Sequence, residues 1–268
     1  MDKVKATSSK HIEYTSNFLK NVIFRLDFNE LNELKNDVEP KFTKTISNKY
    51  NAPIQNTIKE LEVSLSSDGE KILKEKTSWV WQYIHKNCSD KSVSLQKNAF
   101  IFECRNSEYK NFITFRDDVE YILSKFLDNY SVSQFTRMGL RYINEIFIPE
   151  KSPLDWDGFI SPDLCKAIKA GITKSGITSS FLPVRSMHQL QVKNDEITIM
   201  FNYGIFNKDY PNPIAKPELI LDYDYYISSL LDKNEILDKL TDLNSLSKHM
   251  FESSIENELR KQMGVING

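Results

Sequence analysis

The sequence predicts an α+β fold with antiparallel sheets and helices packed on one side, in an order that would suit two similar lobes. Three observations lead there. Residues 135–148, FTRMGLRYINEIFI, alternate like one long strand. Residues 107–129 and 233–264 carry apolar side chains at three- and four-residue spacing, as amphipathic helices do. There is no G-x-G-x-x-G and no regular alternation of strand with helix, which argues against a doubly wound parallel sheet.

Taken in order, residues 1–17 read as a polar arm. Residues 18–28 form a first strand, with Val22, Phe24, Leu26 and Phe28 on one face and Ile23, Arg25 and Asp27 on the other. The spacing of Leu31 and Leu34 predicts a helix over residues 29–37, stopped near Pro40. Residues 51–78 are ambiguous apart from a turn at Ser66-Ser67-Asp68-Gly69. Trp79, Trp81 and Tyr83 alternate along a strand with an aromatic face. SVSLQ and AFIFEC flank Lys97-Asn98 as a hairpin. The helix over 107–129 has its stripe in Phe112, Phe115, Val119, Ile122, Leu123, Phe126 and Leu127.

After the long strand, turn formers at 149–161 close an N-terminal α+β lobe, residues 1–150. A C-terminal lobe, 151–268, then begins with a short helix over 163–170, with Ser161 as its cap and Pro162 in first position. Residues 181–192 and 196–206 pair around Lys193-Asn194-Asp195, and 219–227 add a third strand. One or two helices over 233–264 finish the lobe, with Gly264 as C-terminal cap.

At 40% hydrophobic and 12% aromatic, 268 residues can bury a substantial core. A formal charge of -2 gives no global pull toward nucleic acid or anionic membrane. Cys88, Cys104 and Cys165 are odd in number and widely spaced, as reduced thiols in a cytoplasmic protein would be. No signal peptide or bilayer-length apolar run is legible, so no membrane role is expected.

The long strand carries Arg137 and Arg141 on one face with Gly139 between them, while Asn144 interrupts the apolar face of Met138, Leu140, Tyr142, Ile146 and Ile148. Two arginines so spaced either pair with carboxylates inside the fold or form a planar donor array for a phosphate, a carboxylate or a partner's acidic patch. Asp222 and Asp224 likewise share one strand face by period-two alternation. They suit either a divalent cation or pairing with Arg137, Arg141 or Arg185, and pairing is the simpler reading. His188 lies on an apolar strand face, where a hydrogen-bonded core histidine competes with a ligand or catalytic role. No histidine falls in a metal-ligand spacing. Trp79, Trp81 and Tyr83 offer either core or a surface for stacking bases.

NVIFRLDF near the front, RMGLRYIN in the middle, and LILDYDYY followed by LSKHMFESSIENELRKQMG at the end occur together. This arrangement resembles a sporadically distributed, uncharacterised bacterial protein family marked by an R-x-G-L-R-Y-x-N strand. The resemblance covers most of the chain, and RMGLRYIN is its specific motif. Where that family would have a proline before the first strand, this chain has Phe18-Leu19-Lys20. The patchy distribution of such proteins implies a mobile-element or phage-defence setting and no particular activity.

The expectation is therefore a non-enzymatic binding or interaction protein with no cofactor, no metal and no catalytic residues. Its candidate binding residues are Arg137, Arg141, Asn144, Arg185, His188, Asp222 and Asp224. The expected partner is a protein encoded nearby, and a homodimer is left open. The alternative is a nucleic-acid-binding or RNA-processing protein that uses the arginine strand and the aromatic face. A hydrolase built on His188 and the two aspartates is a third option.

Overall fold

Nine strands, drawn from nearly the whole length of the chain, pair into one antiparallel sheet. The computed structural model describes residues 13–35, 39–65, 71–173 and 182–267. In chain order the elements are β1 (Glu13–Tyr14), β2 (Leu19–Asp27), α1 (Phe42–Ile46), β3 (Ile54–Leu65), β4 (Lys71–His85), β5 (Cys88–Gln96) and β6 (Ala99–Arg105). Then come α2 (Phe112–Asn129), β7 (Gln134–Phe135), β8 (Arg137–Phe147), α3 (Pro162–Thr173), β9 (Ser186–Lys193) and β10 (Ile197–Ile205). The chain continues with β11 (Glu218–Ile227), β12 (Leu231–Asp232), α4 (Ile236–Ser254), α5 (Asn257–Met263) and β13 (Val265–Asn267). The architecture is α+β, and the large sheet runs β3-β4-β5-β6-β2-β8-β11-β10-β9. The β8–β11 ladder, from Phe147 opposite Glu218 to Met138 opposite Ile227, carries the sheet across residue 150. Two small pairs, β1–β13 and β7–β12, cross it as well.

The alternation in sequence becomes two different faces. On β2, Val22, Phe24 and Leu26 are buried while Ile23, Arg25 and Asp27 are only half-buried. On β8, Met138, Leu140, Tyr142, Asn144 and Ile146 face the core. Phe100, Phe102, Leu221, Tyr223 and Tyr225 continue this covered face on β6 and β11. Buried side chains from all five helices join the same core, among them Phe42, Phe126, Ile168, Leu243 and Leu259. Among the described residues no helix covers the opposite face.

Several expectations shift in physically instructive ways. In place of a helix over 29–37 there is a single 3-10 turn, Asn32–Leu34. The backbone of Phe28 and Leu31 is tied to Asn98 and Lys97 at the β5–β6 turn, which holds the segment against the sheet. The ambiguous stretch is the β3–β4 hairpin, and its expected turn at 66–69 lies outside the described residues. The Lys97-Asn98 hairpin is present, with Gln96 opposite Ala99. Asn111 caps α2 by accepting from the Thr114 amide at 2.9 Å. The final helical stretch breaks at Ile255, which bridges to Ile160, while the Glu256 amide donates to the Phe159 carbonyl. Gly264 ends α5 at φ 68, and its amide donates to the Arg260 and Lys261 carbonyls. Among the described residues no helix is long and apolar enough to cross a membrane.

Candidate functional site

The uncovered face of the central strands carries most of the charged residues singled out from sequence. Arg141 on β8 lies beside Asp222 on β11, whose Cα partner is Ile143. The guanidinium donates from Nε to Oδ1 at 2.7 Å and from Nη2 to Oδ2 at 2.8 Å, a bidentate fork. These bonds to Asp222 raise the Arg141 pKa further above its ordinary value, outweighing partial desolvation. Asn202 on β10 also donates to Asp222 Oδ2, at 3.1 Å, and Gln189 on β9 donates to Asn202 Oδ1 at 2.8 Å. One chain of polar side chains thus crosses four strands, with a nearly buried carboxylate at its centre.

Arg137 behaves differently. Its Nη2 sits 3.4 Å from Asp224 and its Nη1 4.0 Å from Asp27, and its guanidinium stacks over the Tyr226 ring at 4.7 Å. Gly139 makes room for this: a Cβ there would lie 3.1 Å from Arg137 Nη1. The missing side chain seats the arginine of the same strand rather than an outside ligand. Burial raises the pKa of Asp224, and the nearby Arg137 opposes that shift only in part.

Beside the Arg141–Asp222 pair the sheet surface forms an open hollow of about 440 Å³. Its polar wall is Arg141, Arg185, Gln189, Asn202 and Asp222, and Ile143, Met187, Phe206 and Ile220 supply apolar surface. Arg185 is exposed and has no hydrogen bond or ion pair among the described residues. The neighbouring cation Lys208 is engaged by Glu145 at 3.2 Å and Glu218 at 3.8 Å.

Of the seven candidate residues, Arg141, Arg185 and Asp222 meet with their side chains in this hollow, and Arg137 and Asp224 form the next pair along the same face. Asn144 is on the covered side, buried, and donates to the Leu221 carbonyl at 3.3 Å, so it is part of the core and not of a binding surface. His188 borders the hollow between Met187 and Gln189, but period-two alternation lets only those two point into it. The His188 ring is on the other face, stacked on Tyr203 at 5.2 Å, at the end of an aromatic row through Phe201, Tyr223 and Tyr225. This separates it from Asp222 and Asp224, so the three do not form one group. Trp81 and Tyr83 are likewise turned into the core, at 4% and 0% exposure, and present no stacking surface for bases.

Each of the two aspartates faces an arginine, and among the described residues no group of three or more His, Cys, Asp or Glu side chains is placed to hold a metal ion. Cys104 and Cys165 are buried free thiols whose pKa values burial pushes up to about 12 and about 11. Gln189 and Asn202 are members of the polar network that sequence reading missed. As neutral amides on alternating strands they carry no charge signal, and only the β9–β10–β11 register brings them to Asp222. Compared with known proteins, the chain matches no family model, no curated protein and no solved structure.

Proposed function

We propose that this chain is a non-enzymatic binding protein whose uncovered sheet face receives a protein partner, in the bacterial defence or mobile-element setting that the R-x-G-L-R-Y-x-N resemblance implies. One observation carries the reading: among the described residues the helices gather on one side of the central strands, while the other side keeps a preorganised arginine–carboxylate network without a helix over it. Antiparallel sheets tolerate one solvated face, but a hollow bordered by an uncompensated arginine is more than solvation requires. Mutually satisfied charges hold their geometry without a ligand, which lowers the ordering cost of association.

The test is complex formation with the products of the flanking genes, measured by size-exclusion chromatography with light scattering. Asn202→Arg, in the middle of the uncovered face, should abolish a complex that Lys166→Glu on α3 leaves intact. A complex indifferent to Asn202→Arg and to other substitutions on that face would overturn the reading. Nucleic acid would instead show itself as binding that weakens steeply with added salt.

A further inference from the structure

We propose that the partner contributes an extended segment, alternately acidic and apolar, which adds to the outer edge of β9 and places a carboxylate on Arg185, at the β9 end of the hollow. The inference rests on the proposed reading of the uncovered face and names the chemistry of what binds there.

Four observations converge. First, β9 ends the nine-stranded sheet, and among the described residues no strand pairs with its outer edge. Unpaired N–H and C=O groups along an edge are a template for a further strand. Second, β9 leaves apolar side chains uncovered on one side of that edge, with Leu190 at 49% and Val192 at 43% exposure. On the other side are Met187, Gln189 and the hollow. A strand laid along β9 would direct alternate side chains to these two environments, so the preferred pattern is apolar toward Leu190 and Val192 and polar toward the hollow.

Third, the polar residue should be an anion. Arg141 is committed to Asp222 two strands inward from β9, out of reach of a side chain on an added strand. Arg185, immediately before β9, has no partner among the described residues, and a guanidinium has five N–H donors to offer. Gln189 and Asn202 direct their amide donors within the sheet face, so the Arg185 guanidinium dominates what a strand laid along β9 meets. Fourth, the charge balance selects a monoanion. Arg141 and Asp222 neutralise each other, which leaves the single positive charge of Arg185 for one carboxylate to neutralise. A phosphate dianion would overcompensate it.

The probe is the heptapeptide acetyl-Val-Glu-Val-Glu-Val-Glu-Val-amide, with the lysine-for-glutamate heptapeptide as control. Binding is followed by backbone and arginine side-chain NMR on the full chain. The acidic peptide should shift the β9 amides together with the Arg185 Nε–H signal. The lysine peptide should not. Arg185→Glu, at an exposed position, should weaken binding by about tenfold or more, a repulsive contact having replaced an attractive one. Leu190→Asp should weaken it independently from the other side of the edge. Equal binding of both peptides, or an affinity unmoved by Arg185→Glu, would overturn the inference. A partner complex broken by Asn202→Arg but unaffected by Arg185→Glu and Leu190→Asp would sink the edge-strand mode and leave the uncovered face as the docking surface.

Discussion

On β8, Leu140 and Arg141 are neighbours with opposite surroundings. Leu140 is fully buried among the aromatic side chains of the covered face, and Arg141 lies half-buried against Asp222 on the uncovered one. The covered face admits polar atoms sparingly, and some of them, such as the Tyr223 and Tyr225 hydroxyls, have no hydrogen-bond partner among the described residues. Tyr142 donates to Asn244 of α4 at 2.9 Å, and Asn144 donates to a β11 carbonyl. The uncovered face instead links its charges laterally, arginine to aspartate and amide to amide, within the plane of the sheet. The contrast shows how a large sheet can leave one side without helices among the described residues: the charges there are engaged with one another rather than with a covering layer.

That contrast can be broken at graded cost. Leu140→Asp places an unpaired carboxylate in the core and should cost about 4 kcal/mol or more, enough to abolish folding. Ile143→Asp, three residues on but facing the hollow, should stay within about 1 kcal/mol of wild type in urea denaturation. If both variants unfolded, the uncovered face would in fact be a core.

Arg141→Gln removes the fork that neutralises Asp222. Because the guanidinium is 41% exposed, the expected loss is about 2 kcal/mol rather than the larger figure for a fully buried pair. Asp222→Asn in that background should recover part of it, and a double-mutant cycle reads the coupling directly. Tyr142→Phe should cost about 1 kcal/mol, the net worth of one buried hydrogen bond, by leaving Asn244 without its donor.

The smallest effect concerns pH. Folding raises the Asp224 pKa above its ordinary 3.8. Between those two values the folded chain holds a proton that the unfolded chain has released, so acidification through that window stabilises the fold. Wild type should therefore gain stability relative to Asp224→Asn as the pH falls from neutral toward 4, read as a converging or crossing pair of urea midpoints. Parallel pH profiles would mean that Asp224 is solvated normally.

Local features were legible from sequence wherever a short-range period or a turn dictated them. The Lys97-Asn98 hairpin, the α2 stripe and the Gly264 cap all depend on residues a few positions apart. The β3–β4 hairpin escaped because residues 54–59 expose most of their side chains and show no apolar alternation, so backbone pairing is what holds them in the sheet. For the site, the even spacing that puts Arg137 and Arg141 on one strand face, and Asp222 and Asp224 on another, was enough to anticipate their meeting. The register that adds Asn202 and Gln189 was not visible, since it depends on which strands become neighbours. His188 was placed on the correct face of its strand, but that face belongs to the aromatic row and not to the hollow.

The strand order has a consequence for kinetics. Strands β3 to β6 each pair with the next in sequence, as do β9 to β11, so both groups can close short loops quickly. Strand β2 adds to β6, but the two groups are linked only when β2 finds β8, where Leu26 meets Met138 across more than a hundred intervening positions. Closing that loop costs chain entropy before any contact rewards it, and topologies rich in such pairings fold slowly. The rate-limiting event in this chain is therefore expected at the β2–β8 seam. Substitutions such as Phe24→Ala should slow refolding, and those in the β3–β4 hairpin should mainly hasten unfolding.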